Sequence, residues 1–434
     1  ILPPEDRRKA MVQALKLDEA RQAKGRTDPG DVMVGGTNSA FPLPLSGCIE
    51  RASGTRIWDE SGKQYLDFLL ASGPLILGHS HPKVTAAVTA QLKKGTAYYS
   101  VNRPAVELAE MMVMVPGCVD IVRFASTGTE ATLHAIRLAR AFTNRDRVLV
   151  FAGGYHGSHD VSIVSHRGAL KGQRGGVPRR VVKDVVVAQF DDIASVRAAF
   201  EEHSGEIGAV IIEPQQRSVD PTPGFLEDLR RICTEHGAVL IFDEVLTGFR
   251  LAYGGAQEYY GVAPDLVCYG KIVGGGFPLA AVGGRHEIMT LADPARTDAS
   301  DFVHFSGTLS GNPVSAVAGV ATLRELQAPG IYERLHGLGG HLRDGLRDAM
   351  AGAGVAGNVL GSGPIAAVHF DDVDGPGSGK LLKSEVNREM IARGILVQMQ
   401  TRFYVSLLHS EEELNEAVEA FASSLAGVRA PAGV

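Results

Sequence analysis

The sequence predicts an α/β protein: a mostly parallel sheet covered on both faces, joined to a smaller α+β region. Short Val- and Ile-rich runs alternate with helix-like stretches over about 190 residues, the rhythm of strand–helix–strand units. After Gly311 the rhythm changes to long helices interleaved with isolated strands. The 434 residues also suffice to bury a large core without disulfide or metal staples.

In chain order, the first 30 residues read as one amphipathic helix, with Met11, Leu15, Leu17 and Ala20 set among charges. Residues 51–68 read as a hairpin, two alternating runs around Glu60-Ser61-Gly62. The apolar runs of the sheet are Ile121–Phe124, Val148–Phe151, Ala209–Glu213, Ala238–Asp243 and Leu266–Tyr269. Between them lie the helical patterns TEATLHAIRLARAF, IASVRAAFEEH and FLEDLRRICTEHG. The tail offers a helix through ERLHGLGGHLRDGLRDAMAG, the strand IAAVHF, a Gly/Asp-rich loop over 371–379, a helix, the strand FYVSLLH and a last helix from Glu411. The expected division is 1–82 (helix and hairpin, part of the small domain), 83–325 (large domain) and 326–434 (the rest of the small α+β domain).

Composition narrows the function. The net charge is −6, from 43 basic and 49 acidic residues, so nucleic acid is not an expected partner, because phosphate-binding surfaces are basic. The one basic stretch, Lys171 to Lys183, reads as a solvated loop. Cys48, Cys118, Cys233 and Cys268 form no CxxC pair, which argues against a zinc ribbon or a disulfide framework. No apolar run reaches a membrane span, and the N-terminal segment lacks the apolar centre of a signal peptide. A cytoplasmic enzyme is the expectation. Glycine is in excess, 52 residues, about 12% against a usual ~7%, and no repeat accounts for it.

The chemistry gathers where strands end. Asp243 closes the run AVLIFD, where ligands of open parallel sheets bind; a ligand partner and a helix cap are equal readings of it. Lys271 follows LVCYG and precedes three glycines, as a phosphate-binding charge, a desolvated Schiff-base amine, or a surface lysine beside a turn. Ser126-Thr127-Gly128-Thr129-Glu130 joins a strand to a helix, and its hydroxyls and free N–H groups form an anion site. Tyr155 and His156, in GGYHGSHD, offer an aromatic ring from a loop; His156, His159 and Asp160 suggest a metal only weakly, because the HxxH pair lies in a Gly-rich loop and the sequence places no third ligand. His304 to Pro313 adds further hydroxyls and glycines before a helix. A phosphate cup, an aromatic for a flat ring, a carboxylate and a lysine together are what pyridoxal phosphate requires.

At these residues the chain resembles the class III pyridoxal-phosphate aminotransferases of fold type I, and within them the glutamate-1-semialdehyde 2,1-aminomutase subgroup and its aminotransferase relatives. The similarity covers about residues 30 to 425 and is carried by GHSHP, STGTEATLHAIRLARAFT, GGYHGSHD, IIEP, LIFDEVLTGFR, GGAQEYYGVAPDLVCYGKIVGGGFPLAAVGGR and SGTLSGNP. It implies a large domain with a mostly parallel seven-stranded sheet and a small domain built from both chain ends. It further implies that Lys271 holds pyridoxal 5′-phosphate as a Schiff base and moves the proton, and that Asp243 faces the pyridine nitrogen. Thr127, Gly128 and Thr129 would bind the phosphate, Tyr155 would stack on the ring, and His156 would support it. Glu213 matches the carboxylate of the family's EP strand end, and Gln216 the glutamine near the ring hydroxyl. Gly307 and Thr308 would reach the phosphate of a neighbouring subunit's cofactor, which implies a homodimer.

Three departures set the chain apart from the mutases. The block Gly35-Gly36-Thr37-Asn38-Ser39 has no arginine after it, the stretch VSHRGALKGQRGGVPRRVVKDV replaces a Ser/Gly/Ala-rich lid, and Val397 to Ser406 lacks the mutase's acidic loop. The expected activity is therefore ping-pong transfer of an amino group from an amine or amino acid to a carbonyl acceptor, with the intramolecular mutase reaction as the alternative. Ser39 and Arg402 are the candidate substrate contacts. Arg402 could hold a carboxylate bidentately, or be an exposed strand-end arginine.

Overall fold

The computed structural model describes residues 29–37, 43, 45, 47–166, 175–373, 375–398 and 401–429. It falls into two units, Ile1–Ser46 and Gly47–Val434. The described part of the first contains two 3-10 turns, Pro29–Asp31 and Val34–Gly36. The expected N-terminal helix and Ser39 lie outside the described residues.

Gly54, at φ +60°, reverses the chain between β1 (Ile49–Ser53) and β2 (Arg56–Asp59), which pair antiparallel. β3 (Gln64–Asp67) then pairs antiparallel with β2. The hairpin around Glu60-Ser61-Gly62 is present, closed by Asp59 Oδ1, which accepts from the Ser61 and Lys63 amides. Its first arm, however, is folded in two, because glycine takes the left-handed turn without steric cost.

The large sheet contains β4 (Ile121–Ala125), β5 (Arg147–Phe151), β6 (Val185–Ala188), β7 (Ile207–Ile212), β8 (Val239–Glu244), β9 (Leu266–Tyr269) and β10 (Ala280–Gly284), in the order β4-β10-β9-β8-β7-β5-β6. Only β10 runs against its neighbours. Every residue of β7, β8 and β9 is buried, which is why these strands read as unbroken apolar runs. The helix Gly128–Thr143 covers one face with Ala131, Ala135, Leu138 and Ala139. Ile193–Glu202 and Phe225–His236 cover the other with Val196, Phe200, Leu229 and Ile232. Each large side chain buried in these layers contributes roughly 1.5–3 kcal/mol.

The tail supplies β11 (Gly357–Leu360), β12 (Ile365–Phe370), β13 (Ile395–Leu396) and β14 (Arg402–Tyr404). β11, β12 and β14 form an antiparallel sheet, while β13 pairs parallel with β3, so the hairpin and the tail are hydrogen-bonded together. Helices Ile331–Gly352 and Glu411–Arg429 pack on this sheet through Leu338, Leu342, Leu346, Leu414 and Phe421. The strand expected over FYVSLLH is shorter. Pairing stops at Tyr404, after which Val405 N donates to Pro364 O and Leu407 N to Ile76 O. The basic stretch also differs from the expected loop: Arg179–Lys183 is a short helix, with Arg179, Arg180 and Lys183 exposed. Lys171 and Arg174 lie outside the described residues. Among the described residues no helix is long and apolar enough to cross a membrane.

Candidate active site

Five parallel strands deliver the predicted residues at their carboxyl ends, the rim where open α/β sheets bind ligands. β4 leads into Thr127, β5 into Tyr155 and His156, β7 into Glu213 and Gln216, β8 ends on Asp243-Glu244, and β9 leads into Lys271.

Thr127 caps the helix Gly128–Thr143, its hydroxyl accepting from Glu130 N at 3.2 Å, and Glu130 Oε2 reaches back to Ser126 N at 2.7 Å. This reciprocal capping fixes the first turn and leaves further amides free to meet an anion. Thr129 Oγ1 accepts from Ser158 N at 3.2 Å, tying the helix start to the loop that carries Tyr155 and His156. Gly157, at φ +99°, makes that approach possible. A Cβ there would stand 2.7 Å from Thr129 Cα.

His156 Nδ1 lies 2.8 Å from Asp243 Oδ2, and both side chains are buried. Asp243 Oδ1 accepts from Val245 N at 3.1 Å, so the carboxylate is held from two sides. Among the described residues, His156 and His159 are each engaged by other side chains. His156 serves Asp243, and His159 Nε2 sits 3.3 Å from Thr132 Oγ1. Burial pulls the His159 imidazole down to about 4, so it is neutral at pH 7. His79, in GHSHP, meets Asp67 Oδ2 at 2.7 Å and belongs to the β3 region instead.

Lys271 begins the 3-10 turn Lys271–Gly274 in a left-handed conformation, φ +48°. A non-glycine residue there carries strain of order 1 kcal/mol or more, and such strain clusters at functional sites. Desolvation lowers its ammonium below the ordinary lysine range, against the opposing charges of Tyr404, Asp243 and Glu213. A larger neutral-amine fraction is what a nucleophile and proton carrier needs.

Glu213 Oε2 accepts from Tyr155 N at 2.9 Å, and burial pushes its carboxyl up. Tyr155 itself is 42% exposed, with the Arg217 guanidinium 5.9 Å from its ring centre. Gln216 Nε2 donates to Ala152 O at 2.8 Å, while its Oε1 is buried and unpartnered.

Arg402 is not the exposed strand-end arginine that was one reading of it. It is 4% exposed, with Nη2 donating to Arg217 O at 2.9 Å and Nη1 to Gln398 Oε1 at 3.2 Å. Its Nε is buried without a partner, and among the described residues no carboxylate lies within ion-pair distance. Strand alternation puts Tyr404 on the same face, its hydroxyl 3.5 Å from Arg402 Nη1. Gly307 and Thr308 are exposed on a turn where Ser310 N donates to Gly307 O. Among the described residues no hydrogen bond joins them to the cluster around Lys271.

Three residues of this cluster were not singled out from the sequence. Arg250 is fully buried, donating from Nε to Leu246 O and from Nη2 to Gly73 O, with its guanidinium 5.4 Å from the Tyr404 ring centre. Burial lowers it to about 10. Burial alone would push the Tyr404 phenol up, but Arg402, Lys271 and Arg250 together bring it below its ordinary range. Arg217 is the third. Arginine and tyrosine types carry no local signal of this burial.

These residues fit pyridoxal phosphate. The capped helix start offers N–H and hydroxyl donors for a phosphate, and Asp243 offers a carboxylate for a ring nitrogen. The unpartnered Gln216 Oε1 and His156 Nε2 are buried polar atoms of the kind a ligand satisfies.

Comparison with known proteins agrees. The family described as aminotransferase class-III matches residues 40–425. The chain is 42% identical over 388 residues to a glutamate-1-semialdehyde 2,1-aminomutase of Desulforamulus reducens, covering 86% of this chain and 88% of that protein. Among solved structures, an omega-transaminase from Sphaerobacter thermophilus is 36% identical with a TM-score of 0.86, covering 93% and 96% of the two chains. A transaminase with PLP bound is 30% identical with a TM-score of 0.85, covering 95% and 98%.

Proposed function

The chain belongs to the class III aminotransferases, and from that premise we propose that it transfers an amino group from an amine or amino acid to a separate carbonyl acceptor in two half-reactions. It is an enzyme of that class, and its cofactor is pyridoxal 5′-phosphate. When bound, the cofactor supplies the carbonyl that takes up the amino group and a ring that spreads the charge left on the substrate carbon. Lys271, whose ammonium is disfavoured by desolvation, withdraws the substrate proton and returns it. Asp243, oriented by His156, is the carboxylate for the ring nitrogen. Thr127, Gly128 and Thr129 hold the phosphate at the helix start. Tyr155 covers the ring, and Glu213 and Gln216 line its edge.

The observation that carries the choice of substrate is the burial of Arg402 among neutral oxygens. A buried guanidinium without a carboxylate is costly, and a substrate carboxylate removes that cost. We also propose a homodimer, in which Gly307 and Thr308 of one chain reach the phosphate held by the other.

The second reading, intramolecular transfer as in glutamate-1-semialdehyde 2,1-aminomutase, is favoured by the 42% identity to an enzyme of that name. A half-reaction screen separates the two. Donors are added to the cofactor-loaded protein with no acceptor, while cofactor absorbance and carbonyl product are followed. Stoichiometric conversion to the amine form of the cofactor, with one equivalent of product, is the expected result. Sustained isomerisation of one substrate without acceptor would replace it with the mutase reading.

A further inference from the structure

Glu244 is a buried carboxylate to which the cofactor site gives no task. It follows Asp243 on β8, and strand alternation turns the two side chains to opposite faces of the sheet. Asp243 meets His156, whereas Glu244 is held by the short helix Gly255–Tyr260 and the turn after β8. Its Oε2 accepts from Ala256 N at 2.5 Å and from Thr247 Oγ1 at 3.1 Å, and its Oε1 accepts from Gln257 N at 3.1 Å. The Gln257 side chain extends the network, donating from Nε2 to the Tyr269 hydroxyl at 2.9 Å. Tyr269 pairs with Glu244 where β8 meets β9, two residues before Lys271. Gly255, at φ +73°, makes room for the carboxylate, since a Cβ there would collide with Glu244 Oε2.

A carboxylate in this position is costly to keep. It is 0% exposed, and its three donors, two amides and a hydroxyl, are all uncharged. Desolvation, aided by the like charge of Asp243, pushes its carboxyl up to about 7 against those hydrogen bonds. What the seat fixes is the neighbouring chain. Val245 packs between the phosphate cup and the lysine turn: a Cβ on Gly128 would stand 3.0 Å from Val245 Cγ1, and one on Gly270 3.1 Å from the same atom. Val245 N also donates to Asp243 Oδ1 at 3.1 Å. The segment 243–245 therefore carries the ring-nitrogen carboxylate and touches both the helix start and the residue before Lys271, while Glu244 anchors it on the far face of the sheet.

We propose that Glu244 is a positioning residue for the cofactor: its carboxylate, held by Thr247, Ala256 and Gln257, locks the segment 243–245 and so sets where Asp243 and Lys271 stand. This role rests on the placement of the cofactor at Lys271 and Asp243. The Glu244 charge, behind Asp243, also favours retention of a proton at the bound cofactor. The other titratable groups facing Glu244 are Cys118, Tyr260 and Tyr269; burial raises all three, so they stay uncharged up to about pH 9.

The test is a pH titration of the bound cofactor's absorbance, from about pH 5.5 to 9, in the cofactor-loaded wild type, Glu244→Gln and Thr247→Val. Glu244→Gln keeps the shape but removes the charge. Its absorbance midpoint should fall by roughly 0.5–1 pH unit, the scale of removing one partly screened charge. Thr247→Val keeps the carboxylate and takes away one donor, which raises the Glu244 pKa and leaves less of it ionised. Its midpoint should fall roughly half as far. A merely structural carboxylate predicts lower melting temperatures in both variants with the midpoint unchanged, and that result overturns the proposal. Should Glu244→Gln fail to fold, Thr247→Val decides by the same criterion. Lys271→Ala is titrated alongside. If it keeps the wild-type transition, the placement of the cofactor fails and this role with it. If it loses the transition, an unchanged midpoint in the other two variants counts against Glu244 alone.

Discussion

Asp243 Oδ2 and His156 Nδ1 stand 2.8 Å apart, one residue closing β8 and the other on the loop after β5, with both side chains buried. The strands that carry them are separated by β7, so the pair spans the centre of the sheet rim. A carboxylate so placed is fixed in its orientation.

Replacing Asp243 with Asn keeps the shape and removes the charge. We expect kcat to fall by roughly 10²–10³, the scale of losing one preorganised electrostatic group. His156→Ala should act differently, leaving a buried carboxylate with the Val245 amide as its remaining hydrogen bond. It should cost about 1–3 kcal/mol of stability and a smaller factor in kcat. Urea unfolding and steady-state kinetics on both variants check this; full stability in His156→Ala would remove its orienting role.

Gly157→Ala tests the join between the phosphate cup and the ring-covering loop. The added methyl group would meet Thr129 at its backbone, 2.7 Å from Cα, in a left-handed conformation that alanine disfavours. The two effects together should destabilise by roughly 1–3 kcal/mol. Because the loop and the helix start must separate, affinity for pyridoxal phosphate should fall as well, read by titrating the cofactor-free protein. A variant with normal affinity would show that the loop and the cup are independent.

Much of this architecture was legible in the sequence. β4, β5, β7, β8 and β9 stand where the apolar runs placed them; the inner strands β7 and β9 are buried throughout and carry no charged residue. β6 and β10 were not among those runs; Ala280–Gly284 is AAVGG, whose glycines weaken a strand pattern. The structure gives them a packing reason, since a Cβ on Gly284 would stand 2.5 Å from Asp265 O. Gly275, one of the three glycines after Lys271, likewise serves packing; a Cβ there would lie 2.5 Å from Ala318 O. The cofactor residues were visible because each follows a strand directly. Arg250 and Tyr404 were not, since their burial arises from the tail packing against the loop at Gly73 and the Leu246 turn, contacts remote in sequence.

The lysine makes a prediction about pH. Desolvation places the Lys271 pKa in the folded, cofactor-free protein below its unfolded value of about 10.4. Between those two values the unfolded chain binds more protons, so stability rises with pH through that window and is lowest below it. Lys271→Met should remove this rise and make the cofactor-free protein more stable at neutral pH, by on the order of 1 kcal/mol or more, while abolishing turnover. Urea melts of both proteins from about pH 7 to 10 provide the measurement. Identical pH dependences would mean that the ammonium is solvated.

Arg402 separates the substrate classes. In Arg402→Ala, KM for donors bearing a carboxylate should rise by roughly 10- to 100-fold, as expected for a charge-assisted contact, while KM for neutral amines should stay within about twofold of the wild type. The variant also loses the bond to the Arg217 carbonyl, so a general disturbance of the turn would raise both KM values together. Arg402→Lys discriminates further. It keeps the charge without the planar fork, and should recover part of the carboxylate preference if that charge is what the substrate meets. Equal effects of Arg402→Ala on acidic and neutral donors would remove the carboxylate role and leave Arg402 as a brace between β14 and the turn after β7.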